Sequence, residues 1–202
     1  MRYFITAIGT DSGKTIVSAI VAEMLEADYW KPVQAGYPRD TETVESLITN
    51  KKSRVHPEGY LLQTPASPHA SAKIDHVEIQ LDYFKVPQVP GALVIEGAGG
   101  ALVPINDQEV VIDMVKPFDC EIILVSDLYL GSINHTLLTI EALKHRDLPI
   151  KGIVFNGEAN VESEKIILSK SGLKYLLHIE KEPKMSKSVI RKYADKLAKN
   201  WE

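Results

Sequence analysis

ITAIGTDSGKT, residues 5 to 15, closes an apolar run and opens into a stretch of helical period. Its last four residues, Ser12-Gly13-Lys14-Thr15, match the end of the phosphate-binding pattern G-x-x-x-x-G-K-[ST], yet the position of the first glycine in that pattern holds Ile8. A phosphate loop needs more than its letters. It must follow a strand, open a helix and aim backbone N–H groups at an anion, which the positive end of the helix dipole favours. Residues 2 to 8 read as a strand and residues 16 to 27 as a helix, so the context is present. Gly13 falls where backbone comes closest to phosphate, Lys14 can pair with the β- and γ-phosphates, and the Thr15 hydroxyl can reach Mg²⁺. The competing reading is a glycine turn whose Lys and Thr merely start a helix. The flanking strand and helix weigh against it.

Outward from the loop, short β-rich apolar runs alternate with helical stretches: RYFITAI then TIVSAIVAEMLEA, GALVIEG then EVVIDMVKPF, EIILVSDL then SINHTLLTIEALKHRD, and last IKGIVFN. Leu93-Val94-Ile95 and Ile122 to Val125 are apolar at consecutive positions, as parallel strands covered on both faces should be. The fold class is therefore α/β: a doubly wound, mainly parallel sheet with helices on both faces, P-loop NTPase-like, expected as a single domain over residues 1–202. Between about Gly36 and Pro90 the rhythm weakens into charged and proline-containing sequence, including TPASPHASAK, which reads as a functional excursion between strands.

Composition narrows the function classes. A formal net charge of −4 and a pI near 5.9 provide no general attraction to nucleic acid. The lone Cys120 can form no internal disulfide and no zinc cluster, which suits a reducing compartment, so a cytoplasmic protein is expected. No apolar run approaches the length of a membrane span, and MRYFITAIG is too short to be a signal peptide, so no membrane association is expected.

Two further stretches carry chemistry. VIEGAGG, residues 94 to 100, ends a buried strand with Glu96 and then Gly97, Ala98 and Gly99. An acidic residue at a strand tip facing a phosphate loop is a candidate Mg²⁺ ligand, and the glycines permit close approach to a phosphate chain. A glycine-rich turn with a solvated Glu is the alternative. YWKPVQAG, residues 29 to 36, puts Lys31 near the end of a short strand, before a proline that fixes an extended turn. At a strand tip outside the core, Lys31 would point into the crevice where α/β sheets bind ligands.

These three stretches, with SPH at 67 to 69, GSINHTLLT at 131 to 139 and Asn156 ending a strand, resemble the dethiobiotin synthetases of biotin biosynthesis over nearly the whole chain. In that family the loop is one residue longer, G-x-x-x-x-x-G-K-T, so its first small residue falls at Ala7. The resemblance implies closure of 7,8-diaminononanoate, CO₂ and MgATP to dethiobiotin, ADP and phosphate through a carbamate and a carbamic-phosphoric anhydride. It implies that Lys31 and Lys14 are catalytic, and that nucleotide is bound by Thr10, Asp11, Ser12, Gly13, Lys14, Thr15, Asp40, Glu96, Gly97, Ala98, Gly99 and Asn156, the last reading adenine. Mg²⁺ falls to Thr15, Asp40 and Glu96. Substrate contacts fall to Thr10, Asp11, Lys31 and Ala35, with the carboxylate end held by Gly131, Ser132, Ile133 and Asn134 of the neighbouring subunit of a homodimer. Ser132 or Asn134 could also cap its own helix.

The chain departs from the family pattern at Ala7, at Ala35 where a hydroxyl is usual and whose substrate contact is either lost or made by Gln34, and in HIEKEPKM, where Glu180 and Lys181 replace the usual adenine-site loop. The rival of a different class is a ParA/MinD-like ATPase switch with protein or membrane partners. Its signature lysine would stand where this chain has Gly9, and the apolar stripe Ile190, Tyr193, Leu197 and Trp201 among lysines reads first as packing on its own domain. A cobyrinate-type amide ligase would need a glutaminase domain for which the chain has no room.

Overall fold

The computed structural model describes residues 1–202. In chain order the first half comprises β1 (Arg2–Ala7), α1 (Lys14–Leu25), β2 (Asp28–Trp30), β3 (Val33–Ala35), α2 (Asp40–Leu47), β4 (Tyr60–Leu62) and α3 (Pro68–Ile74). The second half comprises β5 (Leu93–Glu96), β6 (Glu121–Asp127), α4 (Ser132–His145), β7 (Ile150–Asn156), α5 (Val161–Ser171), β8 (Tyr175–Ile179) and α6 (Lys187–Ala198). Six strands form one parallel sheet in the order β2-β5-β1-β6-β7-β8, while β3 and β4 pair separately, also in parallel.

The consecutive apolar residues of β1, β5 and β6 face two cores, one on each side of the sheet. One contains Val17, Ile20 and Val21 of α1, Val44 of α2 and Ile190, Tyr193 and Leu197 of α6. The other contains Ala72 of α3, Ile140 and Leu143 of α4 and Ile167 of α5. Helices on both faces confirm the doubly wound expectation. Each large apolar side chain fully buried here contributes about 1.5–3 kcal/mol. Helix α1 is buried at every position from Val17 to Ala22 because sheet and helices enclose it on several sides. The stripe on α6 packs within the chain as expected, and Trp201 stands edge-on to Tyr3 with ring centroids 5.0 Å apart.

One expected element is different. The stretch EVVIDMVKPF forms only a single 3-10 turn, Val111–Met114, and not a helix. Its backbone pairs elsewhere: Val111 N–H donates to the Val103 carbonyl at 2.9 Å and Ile112 N–H to that of Ala101 at 3.2 Å. Pro117 stops any continuation. The excursion after Gly36 supplies α2, β4 and α3, and its residues 65 to 68 reach the wall of the cavity described next.

Candidate active site

In a doubly wound sheet the chain turns to opposite sides of its first strand, which leaves a crevice beyond the carboxyl ends of the strands. Here β1 lies between β5 and β6, and a cavity of about 760 Å³ opens beside its end. Thr10, Asp11, Gly13, Lys14, Thr15, Lys31, Ala35, Asp40, Glu96, Ala98 and Gly99 all line it.

The strand ends at Ala7, the place where the longer family loop puts its first small residue. Ile8 N–H still bonds to the Val125 carbonyl at 3.2 Å, and the Ala7 carbonyl accepts from Ala101 N–H at 3.1 Å, so both residues remain tied to their neighbours. Ala7 is not among the residues of positive φ, so its methyl group causes no backbone strain. Gly13, by contrast, has φ +95° at the start of α1, and a Cβ there would lie 2.6 Å from Asn156 Nδ2. That amide donates to the Ser12 carbonyl at 3.0 Å. Asn156 therefore braces the loop with one N–H and keeps its carbonyl and other N–H for further partners. Across the loop, a Cβ on Gly100 would come within 3.3 Å of Gly9 Cα, so the two glycine segments meet backbone to backbone.

The polar centre is built by strand register. Trp30 of β2 lies opposite Ile95 of β5, and one step further brings Lys31 opposite Glu96. Lys31 Nζ donates to Glu96 Oε1 at 2.8 Å and to the Gly97 carbonyl at 2.9 Å, and it meets Asp40 Oδ2 at 2.6 Å. Only 3% of Lys31 is exposed, so it forms part of the buried structure and does not lie outside the core as expected. Burial alone would lower its pKa, but Glu96 and Asp40 outweigh burial and hold the ammonium above its ordinary value. Asp40 shows the reverse balance: burial disfavours its charge, and Lys31 more than compensates, leaving it below the ordinary carboxyl value. Lys14 is different. Burial, reinforced by the nearby Lys31 charge, lowers its pKa to about 8, and its Nζ rests on the Gly9 carbonyl at 3.1 Å.

The Thr15 hydroxyl lies 3.0 Å from both Asp40 Oδ1 and Glu96 Oε1. A hydroxyl has one proton and can satisfy only one of these acceptors at a time, so three oxygens converge with a proton too few. Such a donor set suits a hard cation that takes its other ligands from water and phosphate. No cluster of three or more His, Cys, Asp or Glu side chains that could hold a metal is present, so these oxygens make a partial shell for such a cation and no complete cage. The charges agree: Lys14 and Lys31 are already balanced by Asp40 and Glu96, and a triphosphate would add negative charge that the site cannot neutralise unaided.

Tyr29 escaped the sequence reading, and Gln34 has a different task from the substrate contact considered for it. Tyr29 donates its hydroxyl to Glu96 Oε2 at 2.9 Å, and burial followed by the Glu96 charge raises its pKa well above the phenol value. Gln34 accepts Asp40 N–H at 3.0 Å and donates to the Gly36 carbonyl at 3.1 Å, so it fixes the start of α2. The period of two in strands places Tyr29 and Lys31 on one face and was the available signal for the first. Gln34 was considered as a substitute for the hydroxyl missing at Ala35, and both ends of its amide are engaged within the chain instead.

Gly131, Ser132, Ile133 and Asn134 are not brought to this cavity. They start α4, where Gly131, Ser132 and Ile133, but not Asn134, line a separate cavity of about 380 Å³ with Tyr129, Leu130 and Glu158. No side chain caps α4, so neither Ser132 nor Asn134 performs the capping role considered above. Asn156, Ser12 and Gly97 are not among the residues that line the first cavity.

A family profile described as an AAA domain matches residues 1–189. The ATP-dependent dethiobiotin synthetase of Cytophaga hutchinsonii is 56% identical over 202 residues, covering 99% of this chain and 98% of its own. The chain belongs to the dethiobiotin synthetase family. Synthetases of that name from Christiangramia forsetii (49% identity, covering 98% of this chain and 96% of that protein) and Agrobacterium fabrum (40%, covering 94% and 91%) agree with it. Among solved structures, the MinC:MinD complex of Aquifex aeolicus matches with a TM-score of 0.59 at 13% identity, over 98% of this chain and 96% of that one. A ParA family ATPase from Chlorobium tepidum matches at 0.57 and 10%, over 98% and 91%. At these identities the likeness is one of fold. No helix is long and apolar enough to cross a membrane.

Proposed function

We propose that the chain, acting as one domain over residues 1–202, closes 7,8-diaminononanoate and CO₂ to dethiobiotin at the expense of ATP. The observation that carries this reading is the buried Lys31 ammonium, held by Glu96 and Asp40 at the wall of the phosphate-loop cavity, in a chain 56% identical to a named synthetase. One amine of the substrate captures CO₂ as a carbamate. A carbamate oxygen attacks the γ-phosphorus as ADP leaves, and the second amine then attacks the carbonyl carbon as phosphate departs. Each step develops charge on oxygen, and positioning with charge neutralisation is what the chain offers.

In this reading the backbone from Thr10 to Thr15 cradles the phosphates at the start of α1, and Lys14 turns from the Gly9 carbonyl to the β- and γ-oxygens. Lys31 faces the carbamate and the transferring phosphoryl group. Thr15, Asp40 and Glu96 would hold Mg²⁺, which supplies charge neutralisation on the phosphate oxygens. Thr10, Asp11 and Ala35 border the diamine, Gly97, Ala98 and Gly99 approach the phosphates, and Asn156 keeps amide groups for adenine.

The carboxylate of the substrate goes to Gly131, Ser132, Ile133 and Asn134 of a second copy in a homodimer. Support comes from the uncapped start of α4 and from the exposed apolar side chains beside it, Leu130 at 103% and Tyr129 at 47%. The reaction is placed in the cytoplasm, in keeping with the unpaired Cys120.

The test is to incubate the protein with diaminononanoate, bicarbonate and MgATP and to look for dethiobiotin by mass. Phosphate release should require both diamine and bicarbonate. Rapid hydrolysis of ATP without diamine would favour the switch class instead.

A further inference from the structure

We propose that Tyr29 is a positioning residue for the cation site: its hydroxyl decides which oxygen of Glu96 faces the phosphates and thereby sets how tightly a divalent cation is taken up with nucleotide. This rests on the nucleotide and Mg²⁺ reading above. Glu96 divides its two oxygens between opposite tasks. Oε1 meets Lys31 Nζ at 2.8 Å and the Thr15 hydroxyl at 3.0 Å, on the side of the cavity. Oε2 points into the core and accepts only the Tyr29 hydroxyl, at 2.9 Å.

The phenol is well placed to enforce that division. Tyr29 has no exposed surface, and its main chain is held on both sides. It pairs with Val94 in the sheet, while its N–H donates to the Arg54 carbonyl at 2.9 Å and its carbonyl accepts from His56 N–H at 2.8 Å. The terminal torsion of a glutamate is broad and soft, so packing alone does not fix the carboxylate plane. A hydrogen bond from a ring that cannot move does. Without it, Oε2 would be a buried acceptor with no donor, and the carboxylate would turn to share Lys31 and Thr15 between its two oxygens. Either change withdraws Oε1 from the place where it converges with Asp40 Oδ1. Partners that orient a metal ligand in this way commonly account for about 10–100-fold in metal affinity.

Tyr29→Phe removes one oxygen and keeps the ring. Mn²⁺ is the probe, with its free fraction counted by electron paramagnetic resonance in the presence of saturating ADP. The variant should bind Mn²⁺ about 10–100-fold more weakly than the wild type. Its affinity for ADP in EDTA should be unchanged. In turnover, the KM for Mg²⁺ should rise while kcat at saturating Mg²⁺ approaches the wild-type value, a split that a merely structural hydroxyl would not produce. If the variant is too unstable to titrate, the rise in melting temperature on adding ADP with Mg²⁺ makes the same comparison. That rise should be smaller than in the wild type, with the rise for ADP in EDTA unaltered. Equal Mn²⁺ affinities in the two proteins, to within roughly twofold, would overturn the role of Tyr29 alone, since the expected change is at least tenfold. Failure of the wild type to take up Mn²⁺ with ADP would overturn the metal reading and this inference with it.

Discussion

Replacing Lys31 by Gln tests the polar centre most directly, because the side chain is tied to stability and to chemistry at once. The substitution removes a charge that sits 2.8 Å from Glu96 and 2.6 Å from Asp40, yet leaves an amide that can still donate a hydrogen bond. The Asp40 side chain is 29% exposed and can recruit water, whereas that of Glu96 is 1% exposed and cannot. Taking one partner from a buried ion pair costs about 3–5 kcal/mol, and the hydration open to Asp40 argues for the lower end. At about 2–4 °C per kcal/mol for a domain of this size, the melting temperature should fall by about 6–12 °C. Mg²⁺ should restore part of that fall in the variant, because a divalent cation then meets two carboxylates with no competing ammonium. In the wild type, Mg²⁺ without nucleotide should change melting little. The assay is calorimetric melting of both proteins with and without Mg²⁺, followed by dethiobiotin formation at a temperature where both are folded. Turnover should drop by about a hundredfold or more, as for a lost oxyanion donor. Arg should rescue poorly, since a planar guanidinium does not fit a site shaped for a compact ammonium. A variant that melts like the wild type would refute the stability argument, and near-normal turnover would refute the assigned mechanism.

Three further outcomes follow from other parts of the chain. Gly13→Ala forces a side chain into φ +95° and against Asn156, so it should cost about 1–3 kcal/mol in strain and abolish nucleotide binding; retained affinity for a fluorescent ATP analogue would contradict the bracing by Asn156. The Glu23 carboxylate is partly buried, which would raise its pKa, but donors from Thr49 and Asn50 outweigh burial and lower it. Its stabilisation is therefore present above the unfolded carboxyl value near about 4.3 and is lost as pH falls through the lower folded value. Glu23→Gln should cost about 1.5–3 kcal/mol in urea melts at neutral pH, with the gap to wild type closing in acid. Burial pushes the Cys120 thiol up to about 12, so a thiol reagent should label the native protein slowly and at the pace of unfolding; prompt stoichiometric labelling at neutral pH would show that the site opens locally.

The sequence displayed the sheet more clearly than the site. Consecutive apolar residues at 93 to 95 and 122 to 125 announced parallel strands, and GKT after a strand announced the loop, because both signals are local. The stretch 109 to 118 misled because its apolar spacing suits a helix equally well, while the acceptors that claim its N–H groups, at Ala101 and Val103, come from tertiary structure. Glu96 and Lys31 were named from their strand tips and Asp40 from family resemblance, but the contact of Lys31 with Glu96 depends on the pairing of β2 with β5, a register with no local trace. Tyr29 went unread, and Gln34 was considered only for a substrate contact, for the same reason: a residue that acts only through another leaves no motif of its own.

The central place of β1 has a consequence while the chain is being made. Its partners on either side, β5 and β6, begin at Leu93 and Glu121, so β1, which ends at Ala7, leaves the ribosome with no sheet neighbour until 93 − 7 = 86 residues further on. At about 5–20 residues per second, RYFITA waits on the order of 5–20 s with both edges open. An apolar strand in that condition is a template for pairing with other nascent chains. Holding chaperones should therefore improve yield most during synthesis, and a circular permutant that delivers residues 93 to 127 before β1 should depend on them less.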